Sequence, residues 1–236
     1  MDSARRTAFV AGLFYLITFA AAIPAVFLLG PVLNHADYIV SAGADTRVLW
    51  GCFFDLVNAL ACIGTAVVLF PVVRRQNEAV ALGFVTSRML EAAIIVIGVV
   101  SLLAVVTLRR DLAGASGTDT AALVTTGRAL VAVRDWTFLL GPGLMPGINA
   151  LLLGYLMYRS GLVPRLIPVL GLIGGPLFIA SAIAAFFRGD HPVTALTVIA
   201  GVPIFSWELS LGLWLVVKGF KPSPITAGMA DPTDRA

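Results

Sequence analysis

Long apolar segments alternate with short polar ones along almost the entire chain. Six of the apolar segments reach the roughly 20 residues that a helix needs to cross a bilayer core about 30 Å thick. They cover residues 8–29, 49–73, 80–108, 136–158, 166–187 and 193–217. Runs of this length with so few charges are typical of membrane-spanning helices. The pattern therefore predicts an all-α polytopic membrane protein, a six-transmembrane-helix bundle.

The composition agrees with this interpretation. Hydrophobic residues make up 59% of the chain and charged residues 12%, whereas ordinary soluble domains carry about 25% charged residues. The spans take up most of the 236 residues, so residues 1–221 are expected to form one membrane domain without a separate soluble one. Residues 222–236 combine Pro, Asp, Thr and Gly, a composition that predicts a disordered cytoplasmic tail.

The connections between the spans predict where helices begin, end and pack. Gly30–Pro31 is expected to end the first helix. Residues 76–78 form so short a turn that the second and third helices must be antiparallel neighbours. Thr118 or Asp119 is expected to cap a helix that runs to Arg134. That helix is interpreted either as one lying on the outer surface or as an extension of the fourth span.

Basic residues lie at helix ends rather than in one patch, so no nucleic-acid partner is expected. An excess of Lys and Arg marks the cytoplasmic side of a membrane protein. In the six-span topology nine basic residues fall on one side and six on the other. This bias predicts a cell-membrane protein with both termini in the cytoplasm and with membrane lipids as partners; the oligomeric state stays open. The nine are Arg5, Arg6, Arg74, Arg75, Arg159, Arg165, Lys218, Lys221 and Arg235, and the six are Arg47, Arg109, Arg110, Arg128, Arg134 and Arg188.

Charged residues inside the apolar spans are the main chemical clue. Arg88 and Glu91 lie three residues apart in the third span, so they are expected to pair on one helix face. A charge at the bilayer centre costs about 2.5–3.5 kcal/mol on insertion scales, so such residues face the bundle interior and need partners. Glu208, near the middle of the sixth span, is the expected second partner of Arg88. The group is interpreted as a substrate, ion or proton site, or else as a structural clamp between helices.

The second span carries Asp55, Asn58 and Cys62 at spacings of three and four, which place them on one stripe of a helix. Because the second and third helices are hairpin neighbours, the stripe is expected to face Glu91 or Arg88. The alternative for Asn58 is a hydrogen bond between helices that serves packing alone.

Asp135 lies just before the fourth span, which contains Pro142 and Pro146 among three glycines, with Asn149 shortly after them. Prolines free backbone carbonyls, and non-helical backbone is tolerated in a membrane only when it is buried in protein or lines a cavity. The sequence thus predicts an irregular helix beside a pocket, with a simple proline kink as the alternative. The predicted ligand-binding polar core consists of Asp55, Asn58, Arg88, Glu91, Asp135, Asn149 and Glu208.

No metal and no cofactor is expected, since two Cys and two His are too few for a dedicated haem, zinc or iron–sulfur site. His35 with Asp37, and Asp190 with His191, are interpreted as solvated loop residues in preference to a shared metal site. The fifth span contains Gly171 and Gly175 in a GxxxG spacing that predicts close helix packing. Neither GxSxG nor HExxH is present, so an enzymatic role is uncertain and less favoured, and no catalytic residue is assigned.

Four blocks of the sequence are distinctive. Together they resemble the domain-of-unknown-function 4386 family over nearly the whole chain. The resemblance implies a bacterial multi-pass membrane protein of unknown activity and brings no assignment of catalytic residues. The blocks are Arg6-Thr-Ala-Phe-Val-Ala-Gly12-Leu-Phe-Tyr15-Leu-Ile-Thr18, Arg88-Met-Leu-Glu91-Ala, the stretch from Gly147-Ile-Asn149 to Val-Pro164-Arg165, and the stretch from Trp207-Glu208-Leu to Lys218-Gly-Phe220.

Three functional hypotheses follow from the sequence. The leading one is a non-enzymatic membrane protein whose polar core binds or transports a small ligand, ion or lipid. The second is an intramembrane enzyme that acts on a lipid-like substrate with Glu91 or Glu208 as general base. The third is a structural or accessory subunit whose buried charges only lock the bundle.

Overall fold

The computed structural model describes residues 3–35, 37–41, 45–112, 119–189 and 195–227. Within these ranges the backbone forms seven α-helices and one short 3-10 helix, and no strand. The α-helices are α1 (Ser3–Asn34), α2 (Asp45–Val73), α3 (Glu78–Leu112), α4 (Thr120–Leu140), α5 (Met145–Ser160), α6 (Leu166–Arg188) and α7 (Ala195–Val217), and the 3-10 helix covers Tyr38–Val40.

Six helical segments of the described chain are long and apolar enough to cross a membrane. α4 and α5 together form the fourth of them, because only a turn at residues 141–144 separates the two helices. The prediction of an all-α bundle with six spans is confirmed.

The spans form a closed ring in which helices that follow each other along the chain pack side by side and α7 returns to α1. α3 packs against both α4 and α5. One end of the bundle, called here the terminal face, carries the start of α1, the α2–α3 and α5–α6 turns and residues 218–227. The other end, called the opposite face, carries the ends of α1, α3 and α6 and the starts of α2, α4 and α7.

Contacts on the terminal face hold the two ends of the domain together. Arg5 donates hydrogen bonds to the carbonyl oxygens of Leu215 at 2.9 Å and Val216 at 2.7 Å. The last carbonyls of a helix lack partners within the helix and attract positive charge. Arg5 therefore caps α7 and joins it to α1.

The segment after α7 also lies against the terminal face. Ser223 donates its hydroxyl to the carbonyl of Ser160 at 2.7 Å, and Arg75 donates to the carbonyl of Ile225 at 3.1 Å. These contacts hold residues 222–227, the first part of the expected tail. Residues 228–236 lie outside the described ranges.

Pro31 does not end the first helix, contrary to prediction, since α1 continues to Asn34. A proline removes one helical hydrogen bond and leaves the carbonyl four residues earlier without its donor. Here that carbonyl belongs to Phe27, and Arg47 at the start of α2 donates Nη2 to it at 2.7 Å. The replaced hydrogen bond explains why the helix tolerates the proline.

The region before the fourth span is an extension of that span rather than a surface helix. Asp119 caps α4, since its carboxylate accepts hydrogen bonds from the backbone N–H groups of Ala121 at 2.9 Å and Ala122 at 3.2 Å. The predicted cap is confirmed at Asp119, and Thr118 lies outside the described residues. The helix then stops at Leu140, just before Pro142, so the predicted irregularity is also confirmed.

Glycines allow α6 to approach its neighbours closely, as the GxxxG spacing predicts. A Cβ atom on Gly171 would lie 2.8 Å from the indole ring of Trp207 in α7. A Cβ atom on Gly175 would lie 2.8 Å from the carbonyl oxygen of Gly147 in α5. Small residues at such crossings permit backbone approach and the dense packing that holds membrane helices together.

Candidate functional site

Arg88, Glu91 and Glu208 form a hydrogen-bonded group, called here the triad, inside the bundle. Arg88 donates Nη1 to Glu91 Oε2 at 3.0 Å and Nη2 to Glu208 Oε1 at 2.7 Å. Arg88 and Glu91 are 2% and 4% exposed, and the Glu208 side chain is 13% exposed. Both predicted ion pairs are present, and the Arg88–Glu208 pair links α3 to α7.

Side chains from three other helices surround the triad. Asn149 on α5 donates Nδ2 to Glu91 Oε2 at 2.7 Å. Cys62 on α2 places its sulfur 3.6 Å from Arg88 Nη1. The Tyr15 ring on α1 lies 5.3 Å from the guanidinium carbon, which is a cation–π contact. Five helices therefore deliver polar or aromatic groups to one site.

These groups lie at one level of the bundle. Tyr15, Cys62, Arg88, Asn149 and Glu208 are nine to twelve residues from the helix ends on the terminal face. A rise of 1.5 Å per residue places them about 14–18 Å from that face. A bilayer core is about 30 Å thick, so the triad lies near its middle.

The charges of the triad do not balance. When all three groups are ionised, two carboxylates face one guanidinium and the site carries one surplus negative charge. Tyr15, Cys62 and Asn149 add no cation to it. An uncompensated charge in a low-dielectric interior is costly, and such a site lowers its energy by binding a proton or a cation.

A second buried ion pair lies on the side of the triad toward the opposite face. Arg134 on α4 donates Nη2 to Asp55 Oδ2 on α2 at 2.8 Å, and the two residues are 4% and 6% exposed. Asp55 was predicted to face Glu91 or Arg88, and this prediction is wrong, because its partner is Arg134. Arg134 lies inside the bundle and not on the outer side, where the sequence analysis placed it.

The glycine at position 98 makes room for the second pair. A Cβ atom on Gly98 would lie 3.0 Å from Arg134 Cδ, so the arginine packs directly on the backbone of α3. Nε and Nη1 of Arg134 are buried and have no hydrogen-bond partner among the described residues. The guanidinium is therefore held through a single hydrogen bond and a contact with the Phe138 ring, 5.2 Å from its carbon atom.

Of the other two residues of the predicted polar stripe on α2, Cys62 reaches the triad and Asn58 contacts Cys62. Cys62 donates to Asn58 Oδ1 over 3.9 Å and accepts from Arg88 over 3.6 Å. Asn58 is buried. Asp55, at one end of the stripe, thus contacts Arg134, and Cys62, at the other end, contacts Arg88.

Asp135 lies apart from both pairs and lines a pocket of about 280 Å³ at the opposite face, called here the opposite-face pocket. Burial and the hydrogen bond to Asp45 raise the pKa of Tyr38, another wall residue, so its hydroxyl stays protonated and donates to Asp45 at 3.1 Å. Arg109 and Arg110 bind the same carboxylate. The walls of the pocket include Asn34, His35, Tyr38, Val105, Arg128 and Asp135.

A second cavity lies next to the break between α4 and α5. It has a volume of about 290 Å³ and is lined by apolar side chains, among them Leu139, Leu144 and Phe186. The irregular backbone therefore borders a cavity, as predicted, but none of the predicted polar residues lines it.

Sequence reasoning missed Tyr15 and Arg134. Tyr15 carries no charge and resembles any other aromatic residue of an apolar span. Arg134 does have a signal, because Gly127, Val131 and Phe138 lie seven and three residues before it and four after it, on the same helix face. A small and apolar face of this kind indicates burial.

The described residues contain no group of three or more His, Cys, Asp or Glu side chains that could hold a metal ion. His35 lines the opposite-face pocket and Asp37 is exposed. Asp190 and His191 lie outside the described ranges.

Six spanning helices around a charged centre define the class as a multi-pass integral membrane protein. The chain belongs to the family described as a domain of unknown function, DUF4386, whose model matches residues 10–219. This match confirms the resemblance found in the sequence. No curated protein and no solved structure gave a match.

Proposed function

We propose that this integral membrane protein binds one exchangeable proton at the triad and is a proton-coupled transporter or sensor of a small ligand. The observation that carries the proposal is the sharing of one buried guanidinium, that of Arg88, by two carboxylates. One proton on the carboxylate pair makes the site neutral. Exchange of that proton changes the charge in the middle of the membrane by one unit, and such a change biases helix packing.

A proton suits the site better than a metal cation. Ca²⁺ and Mg²⁺ take six or more oxygen ligands. Two of the four carboxylate oxygens of the triad already accept hydrogen bonds from Arg88, which leaves two carboxylate oxygens and the amide oxygen of Asn149, an atom that is buried without a partner among the described residues. A proton needs no coordination shell.

We further propose that the protein lies in the bacterial plasma membrane with its terminal face in the cytoplasm. By sequence position, nine Lys and Arg residues belong to the terminal side, and five remain on the other side once Arg134 is counted inside the bundle. An excess of basic residues favours the cytoplasmic side.

The proposal is tested by the pH dependence of unfolding of the detergent-solubilised protein. Carboxylates in an unfolded chain ionise above about pH 4.3. If the folded triad keeps one proton at neutral pH, the folded state binds more protons than the unfolded state. The free energy of unfolding then falls as pH rises, by about 1.4 kcal/mol per pH unit, until the triad releases its proton.

Glu91→Gln and Glu208→Gln variants provide the comparison, because at least one of them removes this slope. Asp135→Asn is the matched control and keeps it. A flat profile in the unmodified protein contradicts proton binding. A rise in melting temperature that follows Na⁺, K⁺ or Mg²⁺ and disappears in the glutamine variants indicates a cation in place of the proton, since selective binding stabilises the folded state.

A further inference from the structure

We propose that the triad exchanges its proton with the opposite face of the bundle, through the opposite-face pocket and past the Asp55–Arg134 pair. On this proposal the terminal half is a closed apolar seal and the Asp55–Arg134 pair is the gate. The inference rests on the proposed function and adds to it the side of access and the residues that control it.

The half of the bundle between the triad and the terminal face is filled with apolar side chains. They come from α1, α2, α3, α5 and α7, and each is fully buried. Polar atoms in this region include the Thr65 hydroxyl, which donates to the carbonyl of Cys62 at 2.7 Å, and Ser87 Oγ and Trp214 Nε1, which are buried without a partner among the described residues. A charged species loses its hydration in such a layer and receives few new hydrogen bonds in return. Members of the seal are Leu69, Val72, Phe84, Leu153, Leu156 and Leu215.

The half toward the opposite face also contains buried apolar side chains, among them Ile95, Val99 and Leu102, but a line of polar groups runs through it as well. From the triad, the line runs from Arg88 to Cys62 over 3.6 Å and from Cys62 to Asn58 over 3.9 Å. Asp55 follows one helical turn further along α2 and pairs with Arg134. Groups that donate and accept hydrogen bonds reduce the cost of moving a charge through the interior.

The pocket, the gate and the triad are stacked over one face of α3. Glu91, Gly98 and Val105 are seven residues apart, so they lie on nearly the same side of the helix at intervals of about 10 Å. Glu91 belongs to the triad, Gly98 contacts Arg134, and Val105 lines the opposite-face pocket. Three independent contacts thus place the features in this order.

Arg134 has the properties of a gate. Its guanidinium is buried between the pocket and the triad but is held by one hydrogen bond to Asp55, whereas Arg88 makes hydrogen bonds to two carboxylates. A singly bonded guanidinium is less firmly fixed than one that bonds through two nitrogens. Asp135, the next residue of α4, lines the pocket, so a shift of this turn alters both the pocket and the pair.

Cysteine modification in sealed vesicles tests the side of access. On a Cys52→Ser/Cys62→Ser background, Asn58→Cys places a thiol four residues from position 62 toward the opposite face. Ala66→Cys places one four residues away in the seal and serves as the matched control. The probe is a small, cationic, membrane-impermeant methanethiosulfonate, added to one face at a time, with vesicle orientation determined from a C-terminal tag.

We expect the Asn58→Cys variant to react from the opposite face about tenfold or more faster than the Ala66→Cys variant reacts from either face, as a lower barrier along a polar route requires. Ala132→Trp fills the pocket and slows this reaction by a similar factor, whereas Ala129→Trp, on the exposed surface of the same helix, does not. Asp55→Asn weakens the gate and speeds the reaction. If the Asn58→Cys variant does not fold, native Cys62 in a Cys52→Ser protein is the reporter for the same comparisons.

The route is wrong if the reporter thiol reacts faster from the terminal face, if it reacts from neither face, or if Ala132→Trp and Ala129→Trp have equal effects. This failure is separable from failure of the proposed function, because proton binding is read from the pH dependence of unfolding. If the free energy of unfolding keeps its pH dependence but the thiol reacts from the terminal face, only the proposed route is wrong. If the free energy of unfolding does not change with pH, the proposed proton binding is wrong.

Discussion

Glu91 and Glu208 share the two terminal nitrogens of Arg88, and this sharing distinguishes a proton site from a simple clamp. A clamp needs one carboxylate for one guanidinium, as Asp55 provides for Arg134. A second carboxylate on the same guanidinium adds a charge that only a further positive charge can balance. The functional hypothesis therefore rests on a count of charges rather than on the presence of buried ions.

Glutamine substitutions at the triad measure this count. If one carboxylate carries a proton, its replacement by neutral glutamine keeps the charge balance. The free energy of unfolding of at least one of the variants Glu91→Gln and Glu208→Gln should then lie within about 1 kcal/mol of that of the unmodified protein. The double variant leaves Arg88 buried and unpaired, which costs about 3–5 kcal/mol. Reversible unfolding in mixed micelles measures the free energy of unfolding of the two single variants and the double variant. If both single variants lose more than about 3 kcal/mol of this free energy, the result supports two ionised carboxylates and a structural clamp.

The residues of the triad could be predicted from the sequence because each is a charge within a long apolar run. Their pairing followed from helical spacing for Glu91 and from depth in the membrane for Glu208. The partner of Asp55 could not be found in this way. Arg134 lies at the edge of the fourth apolar run, where a basic residue ordinarily marks a helix end, and only the course of α4 shows that it lies inside.

At the level of the elements, the helices are long and mostly continuous, and their breaks have local causes. Pro31 leaves α1 intact because Arg47 supplies a hydrogen bond to the carbonyl that it frees. The turn at residues 141–144 interrupts the fourth span, where glycines on both sides of Pro142 weaken the helix further. Sequence patterns predicted the second break and not the survival of α1, since the compensating donor belongs to another helix.

The crossing of α6 and α7 positions the triad, because Gly171 packs on Trp207, the neighbour of Glu208. Gly171→Ala should destabilise the protein by about 1–3 kcal/mol through overpacking, since the new Cβ meets the indole ring at 2.8 Å. Gly201→Ala on α7 is the control, because its Cβ meets Phe178 at an ordinary 3.5 Å and should be neutral or stabilising by up to about 1 kcal/mol. Thermal melts compare the two variants. Equal melting temperatures would contradict the close packing.

At the scale of the whole molecule, an even number of spans brings both ends of the domain to one face. The contact between Arg5 and the end of α7 closes the ring there. The apolar pattern was sufficient to predict six spans and their order, because each span must satisfy its backbone hydrogen bonds internally. The layering of polar and apolar groups inside the ring depends on contacts between distant helices, and single-helix patterns do not contain that information.

The topology makes a prediction of its own. Epitope tags at the N-terminus and after residue 227 should be accessible to antibody from the same side of the membrane, and that side should be the cytoplasm. A tag inserted in the connection between α3 and α4 is the control and should be accessible from the other side. Antibody labelling of intact and of permeabilised cells shows on which side of the membrane each of the three tags lies. Opposite locations of the two terminal tags would contradict the six-span ring.

The most direct measurement of the central claim is infrared difference spectroscopy of the purified protein across pH. A protonated carboxyl group has a C=O stretch that is resolved from the bands of ionised carboxylates. We expect such a band near neutral pH, its loss at higher pH, and its absence in Glu91→Gln or in Glu208→Gln but not in Asp135→Asn. If no protonated carboxyl band is present at neutral pH, or if the band persists in both glutamine variants, the triad does not hold the proposed proton.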